Sequence, residues 1–129
     1  MSERLLLIDV GNSRLKWATA TTRRMSRAQA LAHDGDPAAV LRQQRWPKVS
    51  AVWIANVMGS RYERELARAV SRGLSLRACF AHSEAQFAGV RSGYREPERL
   101  GVDRWLAVLA AHRRAAGGVC VAMAGTALT

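Results

Sequence analysis

What the chain lacks narrows its reading first. None of its apolar runs approaches the roughly 20 residues a membrane helix needs. Glu3 and Arg4 precede a short apolar run that stops at Asp9, which is not the pattern of a signal peptide. A cytoplasmic location with no membrane partner is therefore expected. Cysteine is scarce: Cys79 and Cys120 stand far apart in no metal or disulfide spacing. Both are expected as reduced thiols in or near the core. Histidine is scarce too. His33, His82 and His112 are isolated, without a ligand partner at helical or loop spacing, so surface or hydrogen-bonded roles are expected for them. The Walker pattern, GxGxxG and any Ser/Cys–His signature are absent. So are internal repeats and low-complexity segments.

Acidic residues are the minority, 10 against 20 basic ones, for a net charge of +10. Lysine is nearly missing as well; only Lys16 and Lys48 occur, and the remaining basic residues are arginines in ones and twos. There is no long basic run, and the four tryptophans do not interleave with a basic stripe. A dedicated nucleic-acid partner is not expected, and anionic small ligands are a sufficient use for the charge.

What is present suits a folded domain. At 129 residues and 49% apolar content, the chain can bury a core, and its length suggests one domain. Leu5–Val10 reads as a buried strand, Gly11-Asn12 as a tight turn using positive φ, and Ser13–Ala20 as a returning strand. On that second strand Leu15 and Trp17 share one face, while Arg14, Lys16 and Ala18 share the other. A third strand is expected within Arg27–His33. Asp36-Pro37 is a helix start, with Asp36 as N-cap and Ala38–Gln44 helical. Val49–Asn56 reads as a strand. Ser60 and Glu63 suggest a capping box for an amphipathic helix over Arg61–Arg72. Ser75–Phe80 reads as a short strand, 81–100 as a long loop, and Asp103–Ala116 as a helix stopped by Gly117-Gly118. Val119–Met123 is expected to be a strand, turning at Ala124-Gly125-Thr126. Strands first, then strands alternating with helices, imply an α/β architecture with a mixed β-sheet flanked by helices. The chain stops at Thr129 in what should be a returning strand, so a continuation downstream is expected.

Three stretches carry chemistry. In Asp9-Val10-Gly11-Asn12-Ser13-Arg14-Leu15-Lys16, a carboxylate ends a buried strand, where it can hold Mg²⁺ through waters. Gly11 allows close backbone approach to a phosphate, Asn12 and Ser13 can donate hydrogen bonds, and Lys16 adds charge near the hairpin mouth. The pattern alone leaves a phosphate site and a water-facing hairpin both open. Gly125-Thr126 is a second such turn, weak alone but informative when paired with the first. In "GYREPERLGVDRWLA", Asp103 is either a helix N-cap or a base that deprotonates a substrate hydroxyl, with Arg104 beside it as a cationic fork.

Together "IDVGNSRLKWA", "YREPERLGVDRWLA" and "AGTALT" resemble the type III pantothenate kinases, in the right order and nearly end to end. That family belongs to the acetate and sugar kinase/Hsp70/actin superfamily, with tandem RNase H-like (actin-like ATPase) domains. The resemblance implies ATP-dependent phosphorylation of pantothenate to 4'-phosphopantothenate, the first step of coenzyme A synthesis. It implies that Asp9 acts through Mg²⁺, that Asn12, Ser13 and Lys16 contact phosphate within the Asp9–Lys16 motif, and that Thr126 contacts ATP. The family more often carries Thr where Ser13 stands, which keeps the hydroxyl. Tyr94 matches a tyrosine lining the pantothenate pocket. Gly101, Val102, Asp103 and Arg104 match a Gly-x-Asp-Arg motif in which Asp is the general base and Arg helps to bind substrate. Many members carry Asp where Met123 stands, and that Asp helps to bind a monovalent cation (K⁺ or NH₄⁺). Met cannot ligate K⁺ usefully, so the cation requirement stays open here.

Family members are about twice this length and homodimeric. The resemblance therefore implies that 1–118 is an N-terminal RNase H-like domain and 119–129 the start of a truncated second one. The absent part would supply the adenosine pocket and part of the substrate and dimer surface, so the chain alone is expected to have little or no kinase activity. Two other readings remain: a transcription accessory regulator on the same scaffold, and a non-functional fragment.

Overall fold

The computed structural model describes residues 3–125. The backbone forms two compact units, Met1–Ala81 and His82–Thr129.

In the first unit, strand β1 (Leu5–Val10) is followed by β2 (Arg14–Ala20) and β3 (Gln29–Ala32). Helix α1 (Pro37–Gln43), strand β4 (Ala51–Asn56), helix α2 (Ser60–Leu74) and strand β5 (Ala78–Ala81) complete it. The five strands form one sheet in the order β3-β2-β1-β4-β5. The first three pair antiparallel, whereas β4 runs parallel to both β1 and β5. This is the mixed-sheet α/β class the pattern implies.

Period-two alternation decides the faces. Leu6, Ile8 and Val10 of β1 are buried, and Leu5, Leu7 and Asp9 point the other way, half-buried. The buried side meets Leu15, Val52 and Ile54 from the sheet, Ala38 and Leu41 from α1, and Leu66, Ala69 and Val70 from α2. Trp17 and Trp46 stack edge to face at the margin of this core, centroids 5.2 Å apart.

Asp36 caps α1 as expected, its carboxylate accepting the Ala39 N–H at 2.9 Å, with Pro37 at the first helical position. The expected capping box does not form. Gly59 is the N-cap of α2, at φ 101°, with no side-chain cap bond, and Ser60 is already helical. A glycine that enters the helix from left-handed backbone removes the need for a serine cap.

The second unit corrects four expectations. The segment 81–100 is not a plain loop. It holds a small hairpin, β6 (Gln86–Phe87) with β7 (Val90–Arg91), and a 3₁₀ turn at Pro97–Arg99. Ala88 and Gly89 join the hairpin strands with φ of 49° and 82°, the double-positive geometry of a type I′ turn. Helix α3 (Val102–Arg114) ends on Ala115 in extended backbone, before the two glycines. Residues 119–123 form no strand among the described residues, despite their apolar run. A strand exists through its pairing, and an apolar run supplies only one half of a pair. Cys120 is exposed rather than near a core, and Cys79 is half-buried. Among the described residues no helix is long and apolar enough to cross a membrane.

Candidate functional site

The β1–β2 hairpin places most of the first motif. Gly11 N–H donates to the Arg14 carbonyl at 2.9 Å, leaving Asn12 and Ser13 as the exposed tip. Neither Gly11 nor Asn12 takes a positive φ, which corrects the expected turn geometry. A Cβ at Gly11 would meet only the Arg14 carbonyl oxygen, at 3.4 Å. Neither backbone conformation nor internal packing thus requires glycine here.

Register arranges the charges. Asp9 pairs with Lys16 across the antiparallel ladder and with Ala55 across the parallel one. The carboxylate and the ammonium therefore start from neighbouring positions on the face away from the core, and Ala55 adds little bulk on the other side. Val10 and Leu15 are wholly buried and anchor the hairpin, while Arg14 and Lys16 are exposed. The carboxyl ends of the parallel strands β1 and β4 lie side by side: Val57 N–H donates to the Val10 carbonyl at 3.1 Å. Crevices outside such strand ends are where α/β sheets take ligands.

Two residues of this region escaped the sequence pattern. Asn56, at the end of β4, donates to the Gly59 carbonyl and accepts the Met58 N–H, each at 3.0 Å, which shapes the turn next to the Val10–Gly11 strand end. His33 is 3% exposed, and its Nε2 lies 2.7 Å from the Gly11 carbonyl oxygen. The sole hint of Asn56 was a polar residue ending an apolar strand. His33 was legible as a hydrogen-bonded histidine, but not its partner 22 positions away.

In the second unit, Tyr94 is 48% exposed. Its N–H donates to the Ser92 hydroxyl at 3.2 Å. Gly101 is the N-cap of α3, Val102 is buried, and Asp103 is the second helical residue. Asp103 is consequently not the N-cap; its Oδ1 accepts the Arg104 N–H at 2.9 Å, inside the first turn. A carboxylate there is favoured by the helix macrodipole. A Cβ at Gly101 would fall 2.7 Å from Asp103 Oδ1, so glycine keeps the space that this carboxylate fills. Arg104 is exposed and Met123 half-buried. Thr126 lies outside the described residues.

Among the described residues no group of three or more His, Cys, Asp or Glu could cage a metal. A single carboxylate such as Asp9 nevertheless fits Mg²⁺, which keeps several waters and takes phosphate oxygens as ligands. The thioether of Met123 does not suit K⁺ or NH₄⁺.

Similarity to known proteins runs over the same residues. A family model for type III pantothenate kinase matches residues 5–129. The type III pantothenate kinase of Chromobacterium violaceum is 40% identical over 124 residues, covering 96% of this chain and 50% of its own length. That of Burkholderia cenocepacia is 39% identical over 132 residues, covering all of this chain and 50% of its own length. That of Nitrosococcus oceani is 30% identical over 133 residues, with 97% and 50% covered. The chain spans about half the length of the curated relatives it matches.

Proposed function

The chain belongs to the type III pantothenate kinase family, and from that premise we propose that it forms the ATP-phosphate wall and the catalytic-base helix of an enzyme that phosphorylates pantothenate. The observation that carries this reading is the Asp9–Lys16 register pair at the mouth of a hairpin whose glycine the fold itself does not require. In a phosphate site, Lys16, the Asn12 and Ser13 side chains and the hairpin amides would hold the polyphosphate of ATP. Asp9 would hold Mg²⁺ through water, and the ion would neutralise charge on the phosphate oxygens.

Phosphoryl transfer needs positioning and charge neutralisation more than covalent chemistry. The pantothenate hydroxyl oxygen forms a bond to the γ-phosphorus as the bond to the bridging oxygen of ADP breaks. The hydroxyl proton passes to the Asp103 carboxylate, which needs reach rather than a raised pKa. Arg104 would pair with the substrate carboxylate, Tyr94 would line its pocket, and Gly101 and Val102 set the backbone of that motif. Thr126 would contact ATP. The same reading makes the intact protein cytoplasmic and homodimeric, with 119–129 opening a second RNase H-like domain. The half-length match to the relatives supports a need for residues beyond this chain. No role is assigned to a monovalent cation, because the Met123 side chain offers it no oxygen.

The test is turnover of pantothenate with Mg-ATP. The chain alone is expected to show little or none. Joined to the C-terminal half of the Chromobacterium violaceum relative, it is expected to phosphorylate pantothenate. A folded but inactive joined protein would count against the assignment, and full turnover by the isolated chain would remove the need for a second half.

A further inference from the structure

His33 is the buried polar or charged side chain among the described residues, and it stands outside every motif discussed so far. It follows β3 directly, in the turn that leads to α1. Four hydrogen bonds converge on it. Its Nε2 lies 2.7 Å from the Gly11 carbonyl oxygen, and its Nδ1 accepts the Gly35 N–H at 3.1 Å. Its own N–H donates to the Ser13 carbonyl at 3.2 Å, and its carbonyl accepts the Asp36 N–H at 2.8 Å. Because Nδ1 accepts, the ring proton sits on Nε2 and is donated to Gly11.

The consequence lies in what the bonds use up. Gly11 N–H goes to the Arg14 carbonyl and Gly11 C=O goes to His33, so both polar groups of Gly11 are engaged. The N–H groups of Asn12 and Ser13, at the exposed tip, have no protein acceptor among the described residues. The ring thus secures the base of the hairpin and leaves two consecutive donors for an anion. A buried imidazole with only one of these partners would carry a desolvation cost, so the pair of bonds fixes its place.

We propose that His33 is a positioning residue for nucleotide: its Nε2–H grips the Gly11 carbonyl and thereby holds the Asn12 and Ser13 amides in the arrangement that takes a phosphate of ATP. This rests on the phosphate-site reading of the hairpin. The side chain does not touch the ligand; it acts through the loop.

Two substitutions separate the halves of the ring. In His33→Gln the terminal amide reaches as far as Nε2 and can still donate to Gly11, but the bond from Gly35 is lost. In His33→Asn the shorter amide can accept from Gly35 but cannot reach Gly11. Mg-ATP is titrated into the isotopically labelled 129-residue chain and into each variant, following the Gly11, Asn12 and Ser13 amide resonances. Amide hydrogen exchange at the same residues and thermal unfolding are recorded in parallel. His33→Gln is expected to saturate within about threefold of the parent concentration, and His33→Asn to need about tenfold more, the worth of one hydrogen bond. Faster exchange at Gly11, whose N–H donates to the Arg14 carbonyl, is expected in His33→Asn alone, as the loop loses its anchor. Parent-like binding by His33→Asn, or equal weakening in both variants, would overturn the proposal and confine His33 to the turn before α1. If the parent amides ignore Mg-ATP while His33→Asn still loosens the loop, the phosphate reading falls and the nucleotide role with it. If the exchange rates are also unchanged, the grip itself is refuted.

Discussion

The two units are held in order by different means. The unit Met1–Ala81 has an eleven-residue buried cluster drawn from three strands and two helices. In the unit His82–Thr129 the buried apolar residues among those described are Val102 and Trp105. Phe87, Tyr94, Leu106, Val108 and Val119 of that unit are all more than a third exposed. Burial and strand register fix the first unit, so Asp9 and Lys16 are placed by long-range packing. The second unit is shaped by local backbone: a double-positive turn, a 3₁₀ turn and the start of a helix. Stability should therefore be concentrated in the first unit, while the proposed base sits in the second.

That division is most sharply tested by Asp103→Asn. In the chain joined to the second half of a relative, turnover is expected to fall by about 10²- to 10⁴-fold, the worth of general-base catalysis, with Mg-ATP still bound. Stability should change by less than about 1 kcal/mol, because only a charge near the helix start is removed. Near-normal turnover would leave Asp103 as a favourable charge in the first turn of α3 and nothing more. Leu66→Ala asks the converse question. Leu66 is wholly buried in the core of the first unit, and its truncation should cost about 2–5 kcal/mol by urea unfolding. Against a total of about 5–15 kcal/mol for a domain, that is a large share. A cost near zero would mean that the cluster is not what holds the unit together.

How much of this was legible in the sequence follows the same division. Leu5–Val10 and Ala51–Asn56 announced themselves as apolar runs ending in polar residues, and Asp36-Pro37 announced the start of α1. These signals are local, and the packing agrees with them. The capping box at Ser60 was a local signal overruled by its neighbour, because Gly59 already turns the chain. The β6–β7 hairpin escaped because its turn is Ala-Gly, whereas Asn-Gly or Asp-Gly is the recognisable form. The 119–123 run has the composition of a strand but finds no partner among the described residues. For the candidate site, the motif residues were visible as motifs, yet the Asp9–Lys16–Ala55 row is a product of register. His33 is the extreme case. Its chemistry was visible, but the carbonyl it holds is fixed by folding and carries no side-chain signature.

The smallest expected effect probes the local character of the second unit directly. Ala88 sits at φ 49°, where a Cβ crowds the backbone at a cost of about 1–2 kcal/mol, and asparagine tolerates this region better than alanine. The turn positions Phe87 against Val90, and the Ser92 N–H extends the ladder to the Ala85 carbonyl at 2.8 Å. Two residues per strand offer little else to offset the turn. Ala88→Asn should therefore slow amide exchange at Ser92, by up to about fivefold for a gain of somewhat less than 1 kcal/mol, while leaving exchange in β1 and β4 of the first unit unchanged. Unchanged exchange at Ser92 would mean that something other than the turn limits the hairpin. Slower exchange in β1 as well would show that the two units share their stability, and the contrast between a packed unit and a locally ordered one would not survive.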